Sequence, residues 1–167
     1  MLPWIALAVS GLVYAAAVWW STLRLPADGV PRHFDATGAA DAFGSRSDVV
    51  GGFVLIGAVM LGIGVAAVCL ARWGSLRLVN VPHRAYWLQG GRTPRLRRML
   101  ATDLGLLLSA TVAFLAVIPL ATVFALRSEP AGIPPALLWG AVGAFAAAVI
   151  AWCVWLGRYR YHPARDR

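Results

Sequence analysis

His33 and Asp35 stand two residues apart, with Asp28 and Asp41 nearby in the chain. Residues two apart on an extended strand share a face, so an imidazole and a carboxylate are offered together. Zn²⁺ takes tetrahedral N, S and O ligands, and one His among scattered Asp side chains supplies few well-placed donors. The expected role of His33 is to brace its loop through the ring nitrogens. Metal ligation, direct ligand contact and pH sensing stay open as alternatives, since imidazole titrates near neutrality. No cofactor is expected.

Four stretches, residues 1–23, 49–71, 104–126 and 130–157, contain no Asp, Glu, Lys, Arg or His. Proton relays, ion pathways and voltage sensors need ionisable groups at membrane depth. Intramembrane zinc proteases need an embedded H-E-x-x-H pattern. Neither occurs, and no nucleophile–base pair stands out, so the expectation is a non-enzymatic protein that is no pump by itself. Ser10, Tyr14, Ser109, Thr111 and Thr122 are the polar side chains well inside these stretches, expected as interhelical hydrogen-bond partners. Cys69 and Cys153 lie toward the same, reducing side, which disfavours a disulfide. They read as small buried hydrophobes, with palmitoylation as the alternative.

Each stretch exceeds the roughly 20 apolar residues that carry a helix across a hydrocarbon core. Of the 167 residues, 60% are hydrophobic and 13% charged, too apolar and too weakly charged for an ordinary soluble domain. The expected fold is an all-α membrane protein. It is a four-transmembrane-helix bundle with a short turn-rich extracytoplasmic loop between helices 1 and 2. Residues 1–4 carry no basic side chain, and Trp19 and Trp20 prolong the apolar run, so the first helix is expected to be retained rather than cleaved. Helix 4 should start near residues 133–136, and Pro119 should kink helix 3. Small residues at four-residue spacing predict close contacts: Ala58, Gly62 and Ala66; Gly105, Ser109 and Ala113; Gly140, Ala144 and Ala148, with Gly143, Ala147 and Ala151 beside them.

The charges orient the spans. Net charge is +8, with no Lys, and it divides as −1, +6, 0 and +3 over residues 24–48, 72–103, 127–129 and 158–167. Arginine excess marks the cytoplasmic side. Both termini are therefore expected on the cytoplasmic side of the membrane, with residues 24–48 outside. Trp4, Trp73, Trp152, Trp155 and Tyr159 then fall near the inner interface, and Trp19, Trp20, Phe53 and Trp139 near the outer one.

Residues 24–48 hold the distinctive pattern. Val30–Phe34 can form a strand, Gly38 a left-handed turn, and residues 41–43 a return strand. Ser47 and Asp48 suit the start of helix 2. Pro26, Pro31, His33, Phe34, Gly38, Asp41, Gly44, Ser45 and Arg46, just after a first span, resemble a small bacterial membrane domain of unknown function. That domain also forms the N-terminal part of immunity proteins against the sporulation-delaying toxin. Asn80, Pro82, Tyr86 and Trp87 form a second patch similar to shorter relatives. The resemblance covers about residues 19–87. Relatives often carry Lys where Arg46 stands, and Trp or Tyr where Phe43 stands.

The resemblance implies recognition of an extracytoplasmic peptide, or retention of a cytosolic regulator at the membrane. The toxin-immunity relatives are longer, with helices beyond these four spans. On this reading, residues 1–100 form the toxin-immunity-like domain, 101–157 carry helices 3 and 4, and 158–167 form a basic cytoplasmic tail. Candidate recognition or loop-bracing residues are Pro31, His33, Phe34, Gly38, Asp41, Gly44 and Arg46. Inside, Thr93-Pro94 should cap and start the third helix. Asp103 should pair with a nearby Arg, and Tyr86 and Trp87 should rest in the headgroup layer. Asn80, Pro82, Tyr86, Trp87, Arg95, Arg97 and Arg98 are the candidate contacts to anionic lipid headgroups or a cytosolic partner. Nucleic acid is not expected, and the oligomeric state stays open. The alternative is a structural or accessory subunit of a larger membrane complex or transporter.

Overall fold

Each uncharged stretch becomes a long helix. In the computed structural model, which describes residues 1–77 and 79–163, α1 is Leu2–Thr22, β1 Val30–Phe34, β2 Ala40–Gly44 and α2 Arg46–Trp73. There follow α3 (Arg84–Leu88), α4 (Thr93–Leu115), α5 (Val117–Ala125), α6 (Pro135–Trp155) and a terminal π-helical turn, Leu156–Arg160. Leu2–Thr22, Arg46–Trp73, Thr93–Ala125 and Pro135–Arg160 are long and apolar enough to cross a membrane. This is the architecture of a multi-pass membrane protein, mostly helical, with an antiparallel β1–β2 hairpin between the first two spans. One end of the helices carries this hairpin. The other carries the Arg-rich connection between α2 and α4.

Local chemistry sets the boundaries. Ser45, rather than Ser47, caps α2: its hydroxyl accepts from the Asp48 N–H at 3.2 Å. Ser47 lies inside the first turn and exchanges a hydrogen bond with Ser45. The third span does start at Thr93-Pro94, but Arg92 occupies the cap position and Thr93 makes no capping bond. Thr93 is already helical, so its side chain cannot reach back as a cap does. Pro119 lacks an N–H and its ring crowds the carbonyl four residues earlier. The span breaks at Ala116, one residue beyond that Leu115 carbonyl, into α4 and α5. Pro135 opens α6 within the expected window.

The core is a three-helix unit in which α4 packs along both α1 and α2, and α5 continues against α1. Tyr14, Ala17, Val18, Val49, Phe53, Val112, Ala116 and Val123 are buried together at its hairpin half. Leu7, Val68, Ala71 and Ala101 are buried at the other half. Gly57 lets α1 approach: a Cβ there would run into the Tyr14 ring. The Tyr14 hydroxyl donates to the Phe53 carbonyl at 2.7 Å, which ties the two helices together.

Several packing expectations are corrected. On α2 the inward face is Phe53, Gly57, Gly64 and Val68, whereas Ala58, Gly62 and Ala66 point outward. Phe53 is thus buried in the core at the hairpin end. On the third span Gly105 and Ser109 are buried as expected, but Ala113 is exposed. α6 buries none of its residues, and Gly140 and Gly143 face open space. The compact four-helix bundle is therefore a three-helix core with α6 set beside it. Ser10, Ser109, Thr111 and Thr122 donate to carbonyls three or four residues back in their own helices. A short hydroxyl reaches its own preceding turn more readily than a neighbouring helix. Cys153 is exposed and Cys69 half-buried, so neither is the buried hydrophobe expected.

Candidate functional site

The hairpin is built around its turn. The Asp35 carboxylate accepts from the Thr37 N–H at 2.8 Å, the Thr37 hydroxyl at 2.7 Å and the Ala39 N–H at 3.0 Å. The Thr37 hydroxyl, helped by backbone N–H groups, holds the Asp35 carboxyl below its usual value. Gly38 follows at φ +83°, a left-handed conformation that suits glycine. A Cβ there would also strike the Ile133 carbonyl oxygen. The Ile133 N–H donates to the Gly38 carbonyl at 2.8 Å, and the Ala40 N–H to the Ala131 carbonyl at 3.0 Å. Trp139, at the start of the second turn of α6, donates its indole N–H to the Ala36 carbonyl at 2.9 Å. The hairpin tip is thus fastened to the connection between α5 and α6.

Across the strands, His33 Nδ1 lies 2.6 Å from an Asp41 carboxylate oxygen, both side chains well exposed. The strand register shifts on either side of His33, so His33 and Asp41 meet although Ala42 is the register partner. The contact links β1 to β2. Among the described residues, no group of three or more His, Cys, Asp or Glu side chains could hold a metal ion. Arg46 fastens the base: its N–H donates to the Ala27 carbonyl at 2.8 Å and its guanidinium to the Leu25 carbonyl at 3.3 Å. Gly44, half-buried, closes β2 against this base.

Pro31, His33 and Phe34 line an apolar cleft of about 490 Å³. Its walls come from Phe53 of α2, Phe114 of α4, Ile118 and Ala121 of α5, and Leu138 and Val142 of α6. Pro31 is fully buried and shapes the wall, while His33 and Arg32 are exposed at the mouth. The cleft exists because α6 stands off from the core. Of the seven hairpin candidates, the structure brings Pro31, His33 and Phe34 to one opening. Gly38, Asp41, Gly44 and Arg46 hold the hairpin that carries them.

The second set is dispersed. Asn80, Pro82, Arg95 and Arg98 are exposed. Arg97 reaches the end of α2, donating to the Gly74, Arg72 and Ala71 carbonyls at 2.8, 3.2 and 3.4 Å. It satisfies carbonyls that a helix end leaves without partners. Tyr86 is half-buried and stacks beneath the Arg92 guanidinium at 4.2 Å. Trp87 is covered by protein: it is 1% exposed, packed with Leu76, Val81, Leu96 and Tyr161. Its indole N–H donates to the Tyr161 carbonyl at 3.1 Å. The Arg-rich connection therefore has a small core of its own, completed by the segment after α6.

Asp103 pairs outside its own neighbourhood. It is 4% exposed and takes Arg160 Nε at 3.1 Å from each carboxylate oxygen, with the Tyr161 hydroxyl at 2.9 Å. Burial and the Asp103 charge push the Tyr161 hydroxyl far above its usual value. Trp139, Ile133, Arg160 and Tyr161 are the residues that sequence reasoning missed. A lone Trp at a helix start reads only as an interfacial anchor, and its carbonyl partner has no sequence signature. Arg165 and Arg167 of the expected tail lie outside the described residues. Compared with family models, curated proteins and solved structures, the chain gives no significant match.

Proposed function

We propose that this chain is a non-enzymatic multi-pass protein of a bacterial cytoplasmic membrane, with both termini inside. Its hairpin end recognises an extracytoplasmic peptide, in a toxin-immunity or envelope-sensing role. The observation that carries this reading is the convergence of Pro31, His33 and Phe34 on one apolar cleft that α6 leaves open. Apolar clefts with a few convergent polar groups are the usual form of a binding site. A membrane-active peptide carries apolar and polar faces, which the cleft wall and the Arg32–His33 rim respectively match. The uneven Arg distribution supports the orientation. The basic end would meet anionic headgroups or a cytosolic regulator.

The test is His33→Ala with Phe34→Ala in the full chain, alongside a deletion strain challenged with secreted peptides. The pair should fold normally and fail to restore the deletion phenotype. Full restoration by a normally folded variant would remove the recognition reading.

A second reading, an accessory subunit of a larger membrane complex, is favoured by one observation. α6 has no buried residue and presents Leu137, Trp139, Ile150 and Val154 outward. Cross-linking before detergent extraction separates the two: a specific partner supports the subunit, and a partner-free monomer argues against it.

A further inference from the structure

Strand β1 carries one residue more than its partner, at Arg32. Pro31 pairs with Phe43 and His33 with Ala42, and the register shifts between them, so Arg32 has no register partner on β2. An extra residue of this kind re-aims its side chain out of the regular alternation. Arg32 borders an open depression of about 650 Å³ together with Asp48, Val49, Gly52, Phe53 and Ile56 of α2. Arg32 Cδ and an Asp48 carboxylate oxygen both lie within 4.0 Å of the point that a Gly44 Cβ would occupy, so the two side chains flank the same spot. They nevertheless stay apart. Both are exposed, and among the described residues neither the guanidinium nor the carboxylate has an ion pair.

Below the two charges the wall turns apolar. Asp48 is the last charge before the uncharged run 49–71. Asp48, Gly52 and Ile56 follow at four-residue spacing along one face of α2. They cover about 12 Å of a span at ~1.5 Å per residue. A Cβ on Gly52 would meet nothing within 4 Å, and Ile56 is exposed. The depression thus has a mouth with one charge of each sign and an apolar trough that descends along a membrane-length helix. A purely anionic headgroup would suit Arg32 and be repelled by Asp48, and a purely cationic one the reverse. A phosphate and a primary ammonium joined by two carbons suit both. The trough opens on the outer face of a span, where membrane lipid is the neighbour, so the zwitterion comes with acyl chains.

We propose that the depression between the hairpin and α2 binds one phosphatidylethanolamine. Its phosphate meets Arg32, its ammonium donates to Asp48, and an acyl chain lies over Gly52 against Ile56. The site shares Arg32 and Phe53 with the cleft beneath α6 but does not rest on the recognition reading.

The experiment titrates the delipidated full chain in detergent with phosphatidylethanolamine, phosphatidylcholine or phosphatidylglycerol of identical chains, read by native mass spectrometry. One phosphatidylethanolamine should be retained about five-fold better than either other lipid, the upper end for one exposed ion pair. Glycerophosphoethanolamine at equal concentration should not displace it. Asp48→Asn should erase the preference while the melting temperature stays within a few degrees of the parent's. Arg32→Gln should weaken retention of all three lipids severalfold. Gly52→Leu adds a side chain where no protein atom stands in the way, so it should fold and lose the lipid. Equal retention of the three lipids would overturn the proposal, as would a preference for phosphatidylglycerol or displacement by glycerophosphoethanolamine. So would an Asp48→Asn variant that keeps the preference, or a folded Gly52→Leu variant that holds lipid like the parent.

Discussion

Asp103, on α4, grips Arg160, beyond the far end of α6, through both carboxylate oxygens at 3.1 Å. The two residues are 57 positions apart, and the pair is the polar anchor of α6 at the basic end. At the opposite end Trp139 anchors α6 to the hairpin. Between these ends α6 has no buried residue. Its position therefore rests on contacts at its two ends and one aromatic stack.

Removing the first fastening should loosen α6. Asp103→Asn leaves Arg160 and Tyr161 without their carboxylate, and a hydrogen bond to a charged group contributes about 1.5–3 kcal/mol. Arg160 is 32% exposed, so solvent screening places the loss at the low end. Tyr161→Phe, which removes only the hydroxyl donor, should cost about 1 kcal/mol. Thermal unfolding in detergent ranks the three proteins: wild type, then Tyr161→Phe, then Asp103→Asn.

The α1–α2 contact makes a sharper prediction. Gly57→Ala forces a methyl into the Tyr14 ring and should destabilise by about 1–3 kcal/mol. Tyr14→Phe should cost only about 0.6 kcal/mol, the mean for an interhelical hydrogen bond in a membrane. In a Tyr14→Ala background the Gly57→Ala penalty should vanish. Denaturation of the four proteins as a double-mutant cycle measures the coupling.

The hairpin turn should respond to acid. Asp35 has its folded value lowered, chiefly by the Thr37 hydroxyl. A lowered folded value means that the turn favours the carboxylate. Its stabilisation is full above the ordinary Asp range and is lost as pH falls through the depressed folded value. The protection factors of the Thr37 and Ala39 amides, corrected for the intrinsic pH dependence of exchange, should fall across that window, and Asp35→Asn should abolish that fall.

Trp139→Phe keeps the ring and removes the bond to the Ala36 carbonyl. Exchange should rise at the Gly38–Ile133 contact, while the α1–α2 core keeps its protection. Hydrogen exchange by segment checks both halves of this expectation.

Spans, turn and strands could be read from sequence because each rests on local rules. An uncharged run specifies a membrane-length helix, Pro119 breaks one, and Gly38 marks a left-handed turn. The packing could not be read this way. Gly62 and Gly57 look alike in sequence, and only the Tyr14 ring on α1 distinguishes the contact position. Asp103 has Arg97 and Arg98 within two turns of its own helix, yet its partner comes from beyond α6. Trp87 resembled an interfacial anchor because its covering residues, Leu76 and Tyr161, lie 85 positions apart in the numbering of the chain. The candidate site was half visible: Pro31, His33 and Phe34 were picked out, but the cleft beneath them needs α6.

The proposed function requires the hairpin and its cleft to face outward, where an extracytoplasmic peptide can reach them. Cysteine labelling tests it most directly. In a Cys69→Ala, Cys153→Ala background, Ala36→Cys reports the hairpin and Gln89→Cys the basic end, both exposed positions. A membrane-impermeant maleimide applied to intact spheroplasts should label Ala36→Cys at once and Gln89→Cys only after permeabilisation. The reverse pattern would place the hairpin in the cytoplasm and contradict recognition of an extracytoplasmic agent.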